Sequence, residues 1–380
     1  LDTLLDRAVA SRLESDVPVS VFLSGGIDSS LITAYARKHV RDLQTFCVRM
    51  PDARYDESTY AAQVAQHLGT YHTTLEPSIS PAQDLVQLIE QFGLPLGDSS
   101  LLAQYWVSKA TRQHTRVALG GDGGDELFAG YERYQAAEWL ARFGGVLSAL
   151  PAGALPRGHA KSRWSKLARL IEAAQHSGYP ELLAIFPSAM LTELGVTPKF
   201  RDRIDATDPH HVISQAIGYD IEHYLPDDLL CKVDTAAMSV ALETRCPMLA
   251  RELAMTALHT PIETLMPRGQ RKALLKALAR RHLPAHLVDR PKMGFAIPIG
   301  EWFRSDFGGM KTLLLDHLHA REPFGPEWLR INLNLPYVHQ LIDEHMSEQR
   351  DHAQRLYWLL VLSIWARWMV KVRAASQPAG

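Results

Sequence analysis

The hydrophobic pattern changes period repeatedly along the first third of the chain. Apolar residues at Leu1, Leu4, Leu5, Ala8, Val9 and Leu13 fall at helical spacing. Val19, Val21 and Leu23 then alternate, as a short buried strand would. Ser24-Gly25-Gly26 breaks that alternation, and Leu31–Lys38 reads as a helix. Leu43–Met50 predicts a second strand. Tyr55–Leu68 predicts a helix with Asp56 or Ser58 at its cap and Gly69 at its end. Tyr71–Leu75 is a third short strand, Pro81–Phe92 and Ser100–His114 are helices, and Thr115–Leu119 is a fourth strand. Strands alternating with helices predict an α/β fold, a parallel sheet with helices on both faces. Ligands of such sheets bind beyond the carboxyl ends of the strands. After Tyr131 the composition shifts. Ala136–Leu170 is rich in Ala, Leu and Arg, with a Pro/Gly-rich break at Pro151–Gly158, and Lys161–Gly178 and Tyr179–Leu194 read as helices. The expected organisation is an α/β domain over 1–133, a mostly helical C-terminal domain over 134–373 and a frayed tail over 374–380.

Bulk properties narrow the function classes. The 380 residues suffice for two domains, and 40 basic against 42 acidic residues leave a net charge of −2. No basic surplus points to nucleic acid. Cys47, Cys231 and Cys246 form no C-x-x-C pair, so the expectation is free thiols in a cytoplasmic enzyme. The chain starts at Leu1 without a charged-then-apolar leader and reads as a fragment or processed form. The apolar run Leu356–Ala366 is shorter than the roughly 20 residues a membrane helix needs, so a buried core helix is expected and no membrane partner. His210-His211 lacks further spaced ligands, and Pro284 interrupts the His282/His286 spacing, so neither reads as a zinc site.

The chemistry concentrates in two glycine-acid loops, each just past a predicted strand. The first is Val19–Ser30, VSVFLSGGIDSS. A glycine turn opening onto a helix N-terminus lets backbone N–H groups approach a phosphate. Ser24, Ser29 and Ser30 add hydroxyl donors. Asp28 is negative and suits a phosphate only with a divalent cation between them. The string resembles the SGGxDS pyrophosphate loop of ATP pyrophosphatases; no G-x-x-x-x-G-K-[ST] is present. The resemblance implies cleavage of ATP between its α and β phosphates. The second loop is Gly120–Tyr131, GGDGGDELFAGY, with Asp122, Asp125 and Glu126 among four glycines. Asp28 and Asp125, at neighbouring strand ends, could share a Mg²⁺.

Together the loops resemble the synthetase domain of glutamine-dependent asparagine synthetases, which is of the adenine nucleotide α-hydrolase-like fold class; Ala129-Gly130-Tyr131 replaces its GGY. The resemblance covers Leu1 to about Trp368. It implies Asp28 and Asp125 as Mg²⁺ ligands, and Leu23, Val48 and Gly121 as backbone contacts to adenosine. ATP would also meet Ser24, Gly25, Gly26, Ser29 and Gly120. Asp122 and Asp125 are implied as catalytic; Asp122 stands where better-known members carry glutamate, the base for incoming ammonia. Ile221–Leu249 matches the family at Lys232, Asp234, Met238, Glu243 and Arg245, the last two expected as a buried pair joining the two domains. Lys272 reads as helical and either structural or solvated. Lys292, on the Pro/Gly-shaped stretch Arg290–Phe295, is implied as the cation at the α phosphate.

The implied reaction is ATP-dependent adenylation of a carboxylate, with aspartate the leading substrate, followed by attack of ammonia to give asparagine. The chain shows no counterpart of the family's amino-terminal glutaminase domain, so a separate glutaminase domain or subunit, or free ammonia, is the expected nitrogen source. Pro95–Ser100 lacks an arginine for the aspartate α-carboxylate, which keeps relatives acting on a sugar acid or a β-lactam precursor in view. A tRNA-modifying pyrophosphatase conflicts with the charge balance, and a scaffold would not need Asp28, Asp125 and Lys292 together. A homodimer is left open.

Overall fold

The computed structural model describes residues 1–151, 163–176, 178–198, 211–290 and 297–376. Lys292, part of the Pro151–Gly158 break and the last four residues lie outside them. The chain divides into two units, each assembled from separated stretches. The first comprises Leu1–Ser78, Ser100–Tyr134 and Ile217–Ile297; the second comprises Ile79–Ser99, Gln135–Ala216 and Pro298–Gly380.

The first unit is built on a sheet of β1 (Val19–Phe22), β2 (Gln44–Val48), β3 (Tyr71–Leu75), β4 (Val117–Leu119) and β5 (Glu243–Arg245) in the order β3-β2-β1-β4-β5. Every pairing is parallel, with Val21 opposite Thr45 and Leu119, and Val117 opposite Glu243. Helices α1 (Asp2–Arg12), α2 (Ile27–His39), α3 (Ser58–Leu68) and α5 (Ser100–Arg112) surround it, α4 (Pro81–Phe92) belonging to the second unit. Side chains alternate across a strand. Phe46, Val48 and Leu75 accordingly share one face, where they pack with Val107 of α5 and with the partly buried Phe22 and Ala110. The α/β architecture expected from the alternating pattern is therefore present. The addition is β5, too short and too polar (Glu-Thr-Arg) to carry a strand signal, which extends the sheet from beyond residue 240.

Chain order and sheet order part company at β1. The chain runs outward from β1 to β2 and β3, then returns to place β4 on the other side of β1. Loops leaving β1 and β4 therefore diverge, which opens a crevice at their carboxyl ends. Both glycine-acid loops leave from there.

The described part of the second unit is helical. Its central helix, Ala353–Ala375, buries Leu356, Tyr357, Leu359, Leu360, Val361 and Ile364, confirming Leu356–Ala366 as a core segment. No described helix is long and apolar enough to cross a membrane. Trp365 Nε1 donates to the Gly93 carbonyl at 2.8 Å, and the Trp368 ring fills the space a Cβ on Gly93 would take. Beside this helix, on Met310–Leu318, His317 is buried. Ser363 Oγ donates to the Pro323 carbonyl at 2.6 Å, so the 3.0 Å contact to His317 Nδ1 uses the ring N–H as donor. Burial, with Arg367 and Lys371 nearby, pushes the imidazole down from 6.5 to about 4.

A histidine whose folded pKa is lowered favours unfolding once it must take a proton. Its stabilising contribution is complete above pH 6.5 and drains away as the pH falls towards 4. The loss from His317 is on the order of 3 kcal/mol. His317→Asn keeps a donor near the Nδ1 position and cannot titrate. Denaturant unfolding of this variant between pH 7 and 4 is expected to show a shallower decline than wild type; equal slopes would mean that His317 does not enter the folded protein neutral.

Candidate active site

The site residues described below all lie in the first unit. α2 starts at Ile27 with Gly26 as its cap and no side-chain cap hydrogen bond, so the first-turn N–H groups face the crevice uncapped. The serines of this loop satisfy one another. Ser29 Oγ donates to the Gly26 carbonyl at 3.2 Å and accepts the Ser24 N–H at 3.3 Å. Ser24 Oγ accepts the Gly26 N–H at 3.2 Å and lies 3.1 Å from Ser29 Oγ. Gly25 has φ 73°, and a Cβ there would meet the Tyr60 carbonyl carbon at 2.8 Å and the Ala61 nitrogen at 2.9 Å. The loop thus rests directly on the backbone of α3, an approach only glycine allows. Leu23 and Val48 are buried at the ends of β1 and β2, and the Leu23 N–H donates to the Phe46 carbonyl at 2.8 Å.

The second loop folds over the first. Gly120 donates its N–H to the Arg245 carbonyl of β5 at 2.8 Å, and Gly121 and Gly124 pack on Asp28; a Cβ on Gly124 would sit 2.5 Å from Asp28 Oδ1. Asp125 opens the short helix α6 (Gly124–Leu127). Asp28 and Asp125 meet at one cation, the ammonium of Lys272. Its Nζ lies 2.5 Å from Asp28 Oδ2 and 2.9 Å from Asp125 Oδ1. Lys272 is buried, contrary to a solvated reading. It is also not helical: it precedes Ala273–Ala279 with φ 53° and ψ 33°, and that helix packs on α2. Gly130 makes room for the cluster, since a Cβ there would lie 2.0 Å from Asp125 Oδ1 and 2.5 Å from Lys272 Cε. Ala129, standing where the resembled motif has glycine, is held at φ 51°, a left-handed conformation that costs an alanine about 1 kcal/mol.

Two further carboxyls belong to this corner. Burial raises the Asp122 carboxyl above its usual range, against the pull of Lys232, and the Cys246 thiol donates to Asp122 Oδ2 at 3.7 Å. Glu126 is buried and pushed up to about 7 by desolvation, with the Tyr131 hydroxyl donating to it and the Asp125 charge adding to the rise. Tyr131 is itself braced. The Arg133 guanidinium lies 3.8 Å from its ring centroid and 4.4 Å from that of Tyr224, and pairs with the fully buried Asp220 at 2.8 Å. Asp220 also accepts the Tyr134 hydroxyl at 2.7 Å. Asp220 begins a π-helical stretch, Asp220–Leu230, that contains Pro226 and packs on α6.

Sequence reading missed Lys272 as a site residue, the Arg133–Asp220 brace and Arg290. Arg290 Nη2 lies 2.8 Å from Glu57, its Nε donates to the Gly25 carbonyl at 3.2 Å, and its guanidinium lies 4.3 Å from the Tyr60 ring centroid. It clamps the first loop to α3 immediately before the undescribed stretch that carries Lys292. Glu243 and Arg245 do pair, at 2.6 Å, but not as a buried link between domains. Both belong to β5, Glu243 is exposed, and Arg245 holds the carbonyls of Arg12 and Glu14 within the same unit. Asp234 and Met238 line the exposed stripe of Cys231–Met238, while Val233, Ala236 and Ala237 are buried.

A family model for asparagine synthase matches residues 1–367. The chain belongs to the asparagine synthase family. It is 28% identical over 382 residues to Bacillus subtilis asparagine synthetase (glutamine-hydrolyzing) 1, covering 96% of this chain and 58% of that protein. A Mycobacterium bovis relative is 29% identical over 392 residues, covering 96% of this chain and 57% of its own length. Escherichia coli asparagine synthetase B (glutamine-hydrolyzing) is 32% identical over 151 residues, covering 35% of this chain and 27% of that protein. The chain thus spans less than two thirds of the length of the relatives that it matches end to end.

Local crowding decides what an added Cβ would do at Gly130 and at Gly144. Gly130→Ala must displace Asp125 or Lys272 and is expected to lower stability by about 1–3 kcal/mol. Gly144, inside the helix Glu132–Ser148 with open space around its Cβ position, should gain up to about 1 kcal/mol as alanine. Urea unfolding of both variants checks the contrast, and equal effects would overturn it.

Proposed function

We propose that the chain is an ATP-dependent amide synthetase that adenylates a carboxylic acid, the β-carboxylate of aspartate first among candidates, and passes the acyl group to ammonia. The observation that carries this reading is the convergence of Asp28 and Asp125 on one cation beside an uncapped helix N-terminus at the sheet's switch point. That arrangement suits a nucleotide triphosphate better than a neutral ligand.

The residues fit a divalent cation. A lysine ammonium already sits between the two carboxylates, and Mg²⁺ is commonly held by one or two carboxylates together with substrate phosphates. Asp28 and Asp125 would hold it, and when bound it would screen the triphosphate charge. The chain's own groups account for the rest. The first-turn N–H groups of α2 bind the departing pyrophosphate, joined by the Ser24 and Ser29 hydroxyls as these turn from their contacts within the loop. Backbone at Leu23, Val48, Gly120 and Gly121 takes the adenosine. The substrate carboxylate attacks the α phosphate, and Lys292 neutralises the charge that develops there. Ammonia then displaces AMP from the acyl-adenylate. Asp122, with its raised pKa, accepts the proton that the attacking nitrogen releases. Positioning and charge neutralisation supply most of the rate, as is usual at phosphorus.

Ammonia would come from a glutamine-hydrolysing domain or subunit, as the names of the relatives suggest. Three unpaired cysteines support a cytoplasmic setting.

The decisive assay supplies Mg·ATP, ammonia and a panel of acids that includes aspartate and sugar acids. AMP and pyrophosphate are the expected products. ADP and phosphate would overturn the adenylation chemistry, whereas turnover with an acid other than aspartate would move only the substrate. Asp28→Asn is expected to cut pyrophosphate formation by at least about 100-fold. Near-normal turnover in a folded variant would remove Asp28 from the phosphate site.

A further inference from the structure

Lys272 occupies the place the divalent cation would need. Its ammonium touches both carboxylates, and a Mg²⁺ bound to the same two oxygens, about 2.0–2.1 Å from each, cannot coexist with it there. The placement is built into the fold. The side chain is 8% exposed and enters beside Gly130, whose missing Cβ leaves the passage open. The backbone is fixed in a left-handed conformation that a lysine rarely adopts, at the head of a helix anchored on α2. The ammonium offsets negative charge that the two carboxylates would otherwise turn toward the ion. A pair so offset is a poor lure for a strongly hydrated divalent ion.

We propose that Lys272 is an internal counter-cation that keeps the Asp28–Asp125 pair closed to free metal ions, so that the divalent cation enters only together with a nucleotide. This rests on the metal assignment above. The polyphosphate brings both the metal and the extra negative charge that frees the ammonium from the carboxylates. The long flexible stem of lysine lets the ammonium move without rearranging the sheet. Nucleotide and metal then bind cooperatively, each raising the affinity for the other by the same factor. Lys272 is a positioning residue in this scheme, and removing it should improve one kind of binding.

The test titrates Mn²⁺ into the full chain and reads free Mn²⁺ by electron paramagnetic resonance, with and without α,β-methylene-ATP, which cannot be cleaved at the α–β position. Wild type is expected to bind Mn²⁺ weakly alone and about tenfold or more tightly with the nucleotide. Lys272→Met is expected to bind Mn²⁺ alone at least about tenfold more tightly than wild type, to gain far less from the nucleotide, and to lose that binding when Asp28→Asn is added. Lys272→Arg keeps the charge and should stay as weak as wild type.

If Lys272→Met binds Mn²⁺ alone no better than wild type, or if the gain survives Asp28→Asn, the proposal is overturned. Should Lys272→Met unfold without metal, Lys272→Gln serves in its place. The wild-type arm also decides: no tightening of Mn²⁺ by the nucleotide overturns the proposal. A wild type that binds Mn²⁺ cooperatively with the nucleotide but forms AMP with no acid keeps the counter-cation and removes the amide-synthetase reading. A wild type that binds no Mn²⁺ even with the nucleotide removes the metal assignment and the counter-cation with it.

Discussion

Asp28 and Asp125 can occupy one corner of this protein only because a cation occupies it with them. Two like charges about 4 Å apart repel by on the order of 4 kcal/mol at an effective dielectric of 20, and burial adds the cost of lost water. The Lys272 ammonium, within 2.9 Å of both, cancels most of that cost. Much of the local sequence follows from making the triple contact fit. Gly124 and Gly130 lack side chains where Asp28, Asp125 and Lys272 must pass, and Lys272 accepts a left-handed backbone to reach inward. A buried ion cluster of this kind contributes little net stability. What it contributes is position: it fixes two carboxylates from helix starts far apart in the chain against each other.

Position also explains why this corner of the sheet and no other. β1 is flanked by β2 and β4, and the chain leaves these neighbours in opposite directions. The crevice at that divergence is a consequence of topology, before any side chain is considered. The first loop rests on α3 through Gly25 and is pinned by Arg290, while the second hangs from β5 through the Gly120–Arg245 hydrogen bond. Each loop is therefore fixed to a different part of the unit. Rigid supports of that sort let backbone N–H groups wait for a ligand already aimed.

The sequence made some of this legible and hid the rest, for reasons of distance. The four strands Val19–Leu119 announced themselves because each is a short run of β-branched, aromatic or apolar residues bounded by turns. The glycine-acid loops did so because few other structures need several glycines and aspartates side by side. β5 did not, since three polar-flanked residues gain their strand geometry only from pairing with β4, more than 120 positions earlier. Lys272 looked like one more cation of a helical stretch; its meaning lies in a contact with Asp28 across 244 residues. Arg290 and the Arg133–Asp220 brace have the same character. Periodicity reports local geometry, and these are long-range electrostatic contacts with no local signature. The Glu243–Arg245 pair shows the converse error: two opposite charges two positions apart suggested a buried link, and the strand geometry made them a surface pair with a local task.

The first unit is therefore threaded rather than sequential. Its sheet begins with residue 19 and ends with residue 245, and its ion cluster closes only at residue 272. Val21, Leu31, Ile32, Trp106 and Leu119 of its core come from the two amino-terminal stretches, and Ala237, Leu242, Met248 and Leu275 from the third. The charged groups that define the site are divided in the same way. Asp28 and Asp125 come with the first two stretches, but their counter-cation, the loop clamp and the fifth strand arrive with the third stretch, Ile217–Ile297. The third stretch thus carries core packing and site geometry together. Its loss would strip α2 and α5 of the helices packed on them and leave two facing carboxylates without Lys272.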